Sequence, residues 1–341
     1  VDICAPNFLH KEMALEAIRH GKHVYSEKPL ALDAADAEEM VRAAEKAGVK
    51  TLVGFNYMKN PTSQLAKEII ARGEIGEVVH FYGTHNEDYL ADPMTPLDWH
   101  CQKALAGLGA LGDLAAHIVN MAHYLVGNID EVSGDMMTVI KQRPDPKNRS
   151  LMRDVENEDQ ASALLRFANG AHGVIETSRI ACGSKMGLTY VVTGTKGSLR
   201  YTQERMAELA LYSHDDPAGR QGFKTILTGP AHPDYAAFCI SAGHGIGFND
   251  QTDVVLHRRK TLSFHSNGMI FTAFNSKAEV VSSRTYFSVG GGFVVDEGAV
   301  EQDYLVEDTS TIPYPFDSGK QLLALCEQHS MSISQLMMEN E

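Results

Sequence analysis

The chain has 341 residues, with 30 Lys plus Arg against 44 Asp plus Glu, and a formal net charge of −14 when its 15 histidines are neutral. This acidic balance repels phosphate backbones, and no basic cluster is larger than His257-Arg258-Arg259-Lys260, so nucleic acid is excluded as the expected partner. With 43% hydrophobic and 22% charged residues the composition is that of a folded chain of about two domains, and no apolar run reaches the roughly 18 residues of a membrane helix. Cys4, Cys101, Cys182, Cys239 and Cys326 form no disulfide pattern and read as reduced, buried thiols of a cytoplasmic chain.

Strands and helices alternate from residue 1 to about 75. Val1 to Ala5 reads as a buried strand with no turn or cap before it. Leu9 to His20 reads as a helix with Met13, Ala14, Ala17 and Ile18 on one face, closed by Gly21. A strand at His23 to Ser26, a helix at Asp33 to Ala47 closed by Gly48, a strand at Lys50 to Phe55 and a helix at Thr62 to Arg72 closed by Gly73 complete the rhythm. This order implies a parallel sheet with crossover helices, which places chemistry at the carboxyl ends of the strands, near Pro6-Asn7, Glu27-Lys28-Pro29 and Asn56-Tyr57.

From about 76 the pattern becomes long alternating strands: Glu77 to His85, Glu131 to Lys141, Gln160 to Phe167, Ala171 to Arg179, Leu188 to Gly194 and Ser198 to Gln203. Turns at Ala168-Asn169-Gly170 and Gly194-Thr195-Lys196-Gly197 join neighbours as hairpins, and one helix, Leu111 to Val126, interrupts them. Beyond 252 the expected elements are strands at Thr252 to His257, Gly268 to Asn275, Glu279 to Val289 and Phe293 to Asp296, then a helix at Ser318 to His329. The start of an amphipathic helix at Ser332 stops at Glu341, so both ends read as cuts in longer folds.

Two features carry chemistry. Asp113 and His117, at i and i+4 in the internal helix, project from one face, where a carboxylate can orient an imidazole that acts as a general base. The same spacing also describes a helix cap beside a solvated side chain. Lys28 is presented at the sheet edge by Pro29, where it can polarise a hydroxyl or carbonyl; alone it is equally a solvated loop lysine.

Several segments nevertheless occur together and in order: Ala5-Pro6-Asn7-Phe8-Leu9-His10, Gly21 through Leu30 (GKHVYSEKPL), Val53-Gly54-Phe55-Asn56-Tyr57, Gly73-Glu74-Ile75-Gly76, Gly107 through His117, and Leu125-Val126-Gly127. Through them residues 1 to about 251 resemble the Gfo/Idh/MocA family of NAD(P)-dependent oxidoreductases, which act on sugars and cyclitols such as inositol. The resemblance implies that Lys28 holds the reacting hydroxyl and the nicotinamide ribose, that His117 is the acid/base, and that Asp113 supports both. It implies further that Asn7, His10 and Glu27 line the NAD or NADP site and that Tyr57, Trp99, His100 and Asn120 line the substrate pocket. Many relatives carry Arg at the place of His100 and Asp at that of Asn120. The family's glycine-rich phosphate loop would precede Val1, so the cofactor site is expected to be incomplete in this chain. By the same analogy a homo-oligomer is expected, and no metal is.

The tail resembles a different family. Thr252 to His257, His265-Ser266-Asn267-Gly268-Met269, Thr285 to Val294 and Pro313-Tyr314-Pro315-Phe316 are similar to the small domain of iron–sulfur L-serine dehydratase. The expected architecture is therefore an α/β, incomplete Rossmann-like parallel sheet (1–75), an α+β substrate and oligomerisation domain with a large antiparallel sheet (76–251), and a small α+β fragment (252–341). The function this implies is NAD(P)-dependent oxidation of a sugar or cyclitol hydroxyl, inositol-dehydrogenase-like and inactive in so short a chain. The alternatives are an L-serine ammonia-lyase fragment and a non-functional chimera joined at Gln251/Thr252.

Overall fold

A computed structural model describes residues 1–232 and, beyond them, the backbone of four strands between 262 and 296. The chain divides into two compact units, Val1–Thr228 and Gly229–Glu341.

The first unit opens with β1 (Asp2–Ile3), α1 (Asn7–Arg19), β2 (Val24–Ser26), α2 (Ala34–Ala47) and β3 (Thr51–Val53), and the three strands form one parallel sheet in the order β1-β2-β3. Helix α1 buries His10, Ala14, Ala17 and Ile18, spaced to fall on one face. These residues join Ile3, Val24, Met40 and Ala44 in a small core. Helix α1 begins two residues before its expected start, because Pro6 holds an extended ψ of 147° and its carbonyl accepts from Leu9 N at 2.9 Å. Local chemistry also delimits α2: the Asp33 carboxylate accepts from Asp36 N at 2.9 Å, and Gly48 ends the helix at a φ of 66°, which glycine adopts at no steric cost.

A 3₁₀ turn at Asn56–Lys59 and α3 (Pro61–Ala71), capped by Asn60 on Thr62 N at 2.8 Å, lead into β4 (Val78–Asn86). After it come a second 3₁₀ turn at Trp99–Cys101, α4 (Lys103–Ala106) and α5 (Ala116–Leu125). There follow β5 (Ile129–Met137), a hairpin of β6 (Gln142–Pro144) and β7 (Met152–Asp154), β8 (Gln160–Phe167), β9 (His172–Ser178), β10 (Gly187–Gly194), β11 (Gly197–Thr202), β12 (Glu208–Ser213) and β13 (Lys224–Leu227). Eight of these strands form one sheet in the order β13-β12-β11-β10-β4-β9-β8-β5. Phe81, Leu165, Ile175, Leu188, Tyr190 and Leu199 point from it onto Ile118, Met121, Ala122 and Leu125 of α5, forming the main core.

The sheet is mixed and not purely antiparallel, for β4 and β9 run parallel. Alternation of side chains is the same in both kinds of pairing, so the sequence pattern is silent on strand direction; the β8–β9 hairpin delivers β9 beside β4. The strand expected from Glu131 to Lys141 stops at Met137, because the Asp159 carboxylate takes the amides of Val139 and Ile140, both at 2.8 Å, away from ladder pairing. The hairpin β6–β7 and the strands β12 and β13 were not anticipated. Cys101 is buried, whereas Cys4 and Cys182 are exposed, against the expectation that all the thiols are buried.

The internal helix also differs from expectation. Residues 111–115 form a π turn and only Ala116–Leu125 is α-helical. By length and hydropathy the stretch Lys103–Leu125 passes for a membrane span, contrary to the sequence reading. Its apolar face is spent instead on the sheet, where Ile118, Met121 and Ala122 have no exposed surface.

In the second unit β14 (Leu262–His265), β15 (Gly268–Phe274), β16 (Val280–Val289) and β17 (Gly292–Asp296) form an antiparallel meander. Three of these match the expected strands to within a residue. The expected strand at 252–257, the helix at 318–329, the junction at 251/252, Cys239 and Cys326 lie outside the described residues.

Candidate active site

Strand β2 ends at Ser26, and the chain turns at once through Glu27-Lys28-Pro29, with a cis peptide before Pro29. Two backbone bonds continue the parallel ladder past the strand end: Glu27 N donates to Ile3 O and Gly54 N to Ser26 O, both at 2.9 Å. A Cβ on Gly54 would lie 2.9 Å from Tyr25 Oη and 3.1 Å from Glu27 Oε2, so glycine lets the third strand end pass this close.

Lys28 reaches out of this turn to the π turn before α5. Its Nζ donates to Asp113 Oδ1 at 2.5 Å and to the Asp113 carbonyl at 3.0 Å, with both side chains mostly buried. The other carboxylate oxygen, Oδ2, accepts from Tyr89 Oη at 2.9 Å. Burial pushes the Asp113 carboxyl up, but the Lys28 charge and hydrogen bonds from Lys28 and Tyr89 outweigh it and hold the group below its ordinary value.

His117 sits one turn further along, 6% exposed, with its ring edge-on to Tyr57 at 4.6 Å between centroids and beside His85 at 5.5 Å. Its Nδ1 is buried without a hydrogen-bond partner. Burial above all, then the charges of Lys28 and His85, depress its pKa well below the usual imidazole value, so the ring is neutral at neutral pH. The expected carboxylate–imidazole contact is absent: Asp113 spends both oxygens on Lys28 and Tyr89. The cause is the π turn, whose wider winding removes the i, i+4 register assumed for an uninterrupted α-helix.

Tyr57 is buried, its hydroxyl 3.5 Å from Met186 Sδ, and burial followed by the charges of Glu87 and Asp113 raises its pKa. Trp99 and His100 stack at 3.7 Å, and His100 Nδ1 lies 3.0 Å from Asp98 Oδ2. The His100 ring meets Tyr89 at 6.4 Å, which brings this wall to the Lys28–Asp113 pair. Asn120 is half-buried on α5 and makes no side-chain hydrogen bond among the described residues.

The residues expected along the cofactor divide. Glu27 is half-exposed at the strand end. Asn7 is buried and donates to Ala106 O at 3.0 Å, tying the start of α1 to α4. His10 has no exposed surface, and its ring nitrogens lie 2.8 Å from Pro29 O and 2.7 Å from Ala5 O. It braces the two turns from beneath and presents no surface to a ligand, so the expectation that His10 lines the cofactor is corrected.

Sequence reasoning missed the scaffold around these groups. Arg179, fully buried, donates to Asp159 Oδ1 at 3.0 Å and to the His100 carbonyl at 3.0 Å, which also accepts from Asn157 Nδ2 at 2.8 Å. Glu158 Oε1 accepts from Leu111 N at 2.8 Å and caps the π turn. The run Asn157-Glu158-Asp159, three polar residues before a strand, was the available signal. His85, Glu87 and Tyr89 were missed too, although His85 follows Phe81 and Gly83 on the inward phase of β4. Gly107-Leu108-Gly109-Ala110-Leu111-Gly112 has the spacing of a phosphate loop, but no strand precedes it. A Cβ on Gly109 would stand 2.0 Å from Glu158 O, so this glycine serves backbone packing. A cavity of about 340 Å³ opens on the other face of the sheet, at Tyr82, Thr189, Arg200 and Thr225, away from Lys28.

Residues 1–55 match the oxidoreductase family with an NAD-binding Rossmann fold, 63–200 the GFO/IDH/MocA C-terminal domain, and 233–299 the serine dehydratase beta chain. The chain is 38% identical over 273 residues to levoglucosan dehydrogenase of Pseudarthrobacter phenanthrenivorans, covering 75% of this chain and 69% of that protein. Among solved structures, an NAD binding oxidoreductase from Klebsiella pneumoniae is 47% identical with a TM-score of 0.72, covering 75% of this chain and 68% of that one. A levoglucosan dehydrogenase in complex with NADH and levoglucosan is 40% identical with a TM-score of 0.73, at shares of 75% and 68%. The chain belongs to the Gfo/Idh/MocA oxidoreductase family. It also carries a serine dehydratase beta-chain domain; L-serine dehydratase of Streptomyces coelicolor is 50% identical over 98 residues, which are 29% of this chain and 22% of that enzyme.

Proposed function

We propose that the first unit oxidises a secondary hydroxyl of a sugar or cyclitol with a nicotinamide cofactor. The observation that carries this reading is the Lys28–Asp113 pair beside a buried, neutral His117 at the carboxyl ends of parallel strands. Lys28 donates to the substrate hydroxyl oxygen and stabilises negative charge as it develops there. His117 accepts the hydroxyl proton, and Asp113 with Tyr89 fixes the lysine. Trp99 and His100 form the wall against which the ring of the substrate packs, with Tyr57 and Asn120 on the helix side.

The residues fit the nicotinamide end of the cofactor. An ammonium and a half-exposed carboxylate, Glu27, stand at the strand ends, and the adjoining imidazole has an unpartnered nitrogen. When bound, NAD or NADP supplies the hydride acceptor. The chain covers 68–69% of the dehydrogenases that it resembles, so activity of the chain by itself belongs to this proposal. We assign residues 1–75, 76–251 and 252–341 to the nucleotide half-domain, the substrate domain and the dehydratase-type fragment. The dehydratase profile begins at 233, ahead of the junction assigned at 251/252.

The test is NADH formation at 340 nm by the purified chain with levoglucosan, myo-inositol or glucose. No turnover with any of them, alongside NAD⁺ that does not bind by calorimetry, refutes the reading for this chain. The beta-chain match favours a second reading, deamination of L-serine, and pyruvate released from serine by the same preparation would establish it.

A further inference from the structure

A buried guanidinium holds the segment that joins β4 to the Trp99–Cys101 turn. Arg143 of β6 has no exposed surface. Its Nη2 donates to Leu90 O at 2.5 Å and its Nη1 to Asp92 O at 2.9 Å and Thr95 O at 3.5 Å. Every side-chain bond that it makes among the described residues therefore ends on a carbonyl of this one segment, and its Nε is buried without a partner. Arginine does not lose its proton in proteins, and burying its charge is costly unless the donors are met. Its planar fork meets several carbonyls at once, which the point charge of a lysine does not. Two backbone bonds join in: Leu97 N donates to Pro144 O at 2.8 Å and Leu90 N to Arg179 O at 3.1 Å.

We propose that Arg143 is a positioning residue for substrate binding, fixing residues 89–98 so that both ends of the segment serve the site; this deepens the dehydrogenase reading above and rests on it. At the first end, the Leu90 carbonyl that Arg143 holds adjoins Tyr89, whose hydroxyl donates to Asp113 Oδ2 at 2.9 Å. At the other end, Asp98 Oδ1 accepts from His100 N at 2.9 Å and shapes the turn on which Trp99 and His100 stack. Between them the apolar anchorage is small: Leu90 and Leu97 pack with Cys101 and Val155, while Met94 is 57% exposed. Without the guanidinium three carbonyls lose their donor, and the wall against which the substrate ring packs loosens. Lys28 keeps both of its bonds to Asp113, and His117 stays on α5. Substrate binding therefore depends on Arg143 more than the chemical step does.

Amide hydrogen exchange of the full chain, read by mass spectrometry, tests this without turnover. In Arg143→Met, which roughly keeps the side-chain volume, peptides spanning 89–98 exchange about tenfold faster, while those of α1 and β10 keep their rates. Arg143→Lys keeps the charge but not the fork and speeds the same peptides, so it carries the test if Arg143→Met does not fold. Unchanged exchange at 89–98, or a uniform rise along the whole chain, overturns the proposal. With a sugar that the unsubstituted chain oxidises, KM in Arg143→Lys rises by a larger factor than kcat falls. A merely structural role lowers the folded fraction and so the apparent kcat alone, and that result also overturns the proposal. Absence of dehydrogenase activity in the unsubstituted chain would refute the proposed function and leave the exchange pattern as the test of Arg143.

Discussion

In the proposed reaction Lys28 and His117 act through different properties, and their replacements are expected to fail differently. Lys28→Ala removes the positive charge beside the reacting oxygen and leaves Asp113 to Tyr89 alone. A fall in kcat/KM of about a hundredfold or more is expected in steady-state assays. His117→Gln removes the proposed base, and kcat is expected to fall about a thousandfold with a smaller change in KM. The pKa of His117 is depressed in the folded chain, so between that value and the unfolded value near 6.5 the unfolded state binds more protons. Stability therefore falls as pH drops below about 6.5, and this slope is expected to weaken in His117→Gln when urea midpoints are compared at pH 7.5 and 5.5. Burial keeps the ring neutral over the same window, so kcat/KM stays level as pH falls through 6.5.

Elements place these residues. The π turn at 111–115 directs Asp113 to Lys28, and Glu158 and Gly109 hold that turn against the 155–159 segment. Gly109→Ala would drive a methyl into the Glu158 carbonyl, so a loss of about 3 kcal/mol or more is expected from denaturant unfolding. The Arg179–Asp159 pair is fully buried, and its bonds end on the carbonyl of His100. Arg179→Ala leaves Asp159 as an uncompensated buried charge and should cost about 3–5 kcal/mol, read from the same unfolding curves. Helix phases and caps were legible at this scale, because spacing at 3.6 residues and the pairs Asp33/Asp36 and Asn60/Thr62 are local. The π turn was not, because winding in the middle of an apolar helix has no composition signature.

At the scale of the whole molecule, the chain divides between Thr228 and Gly229 into two compact units. Trp99 is the only tryptophan in the sequence and lies in the first unit. Its fluorescence therefore reports that unit, while far-UV circular dichroism reports both. Non-coincident urea midpoints by the two probes are the expected outcome, and a single shared transition would show that the units unfold as one. The sequence by itself determined the βαβ start, the strand-rich continuation and the change of family along the chain, and it offered Lys28, Asp113 and His117 as the site candidates. Those depend on residue type, periodicity and order, which are properties of neighbours in the chain. Only the tertiary structure decided that Asp113 serves Lys28 and Tyr89 instead of His117, that His10 is a brace, that β4 and β9 run parallel, and that His85 lies against His117. Each of these is a meeting of residues far apart in the chain, whose partners are chosen by burial and by the hydrogen bonds that burial demands.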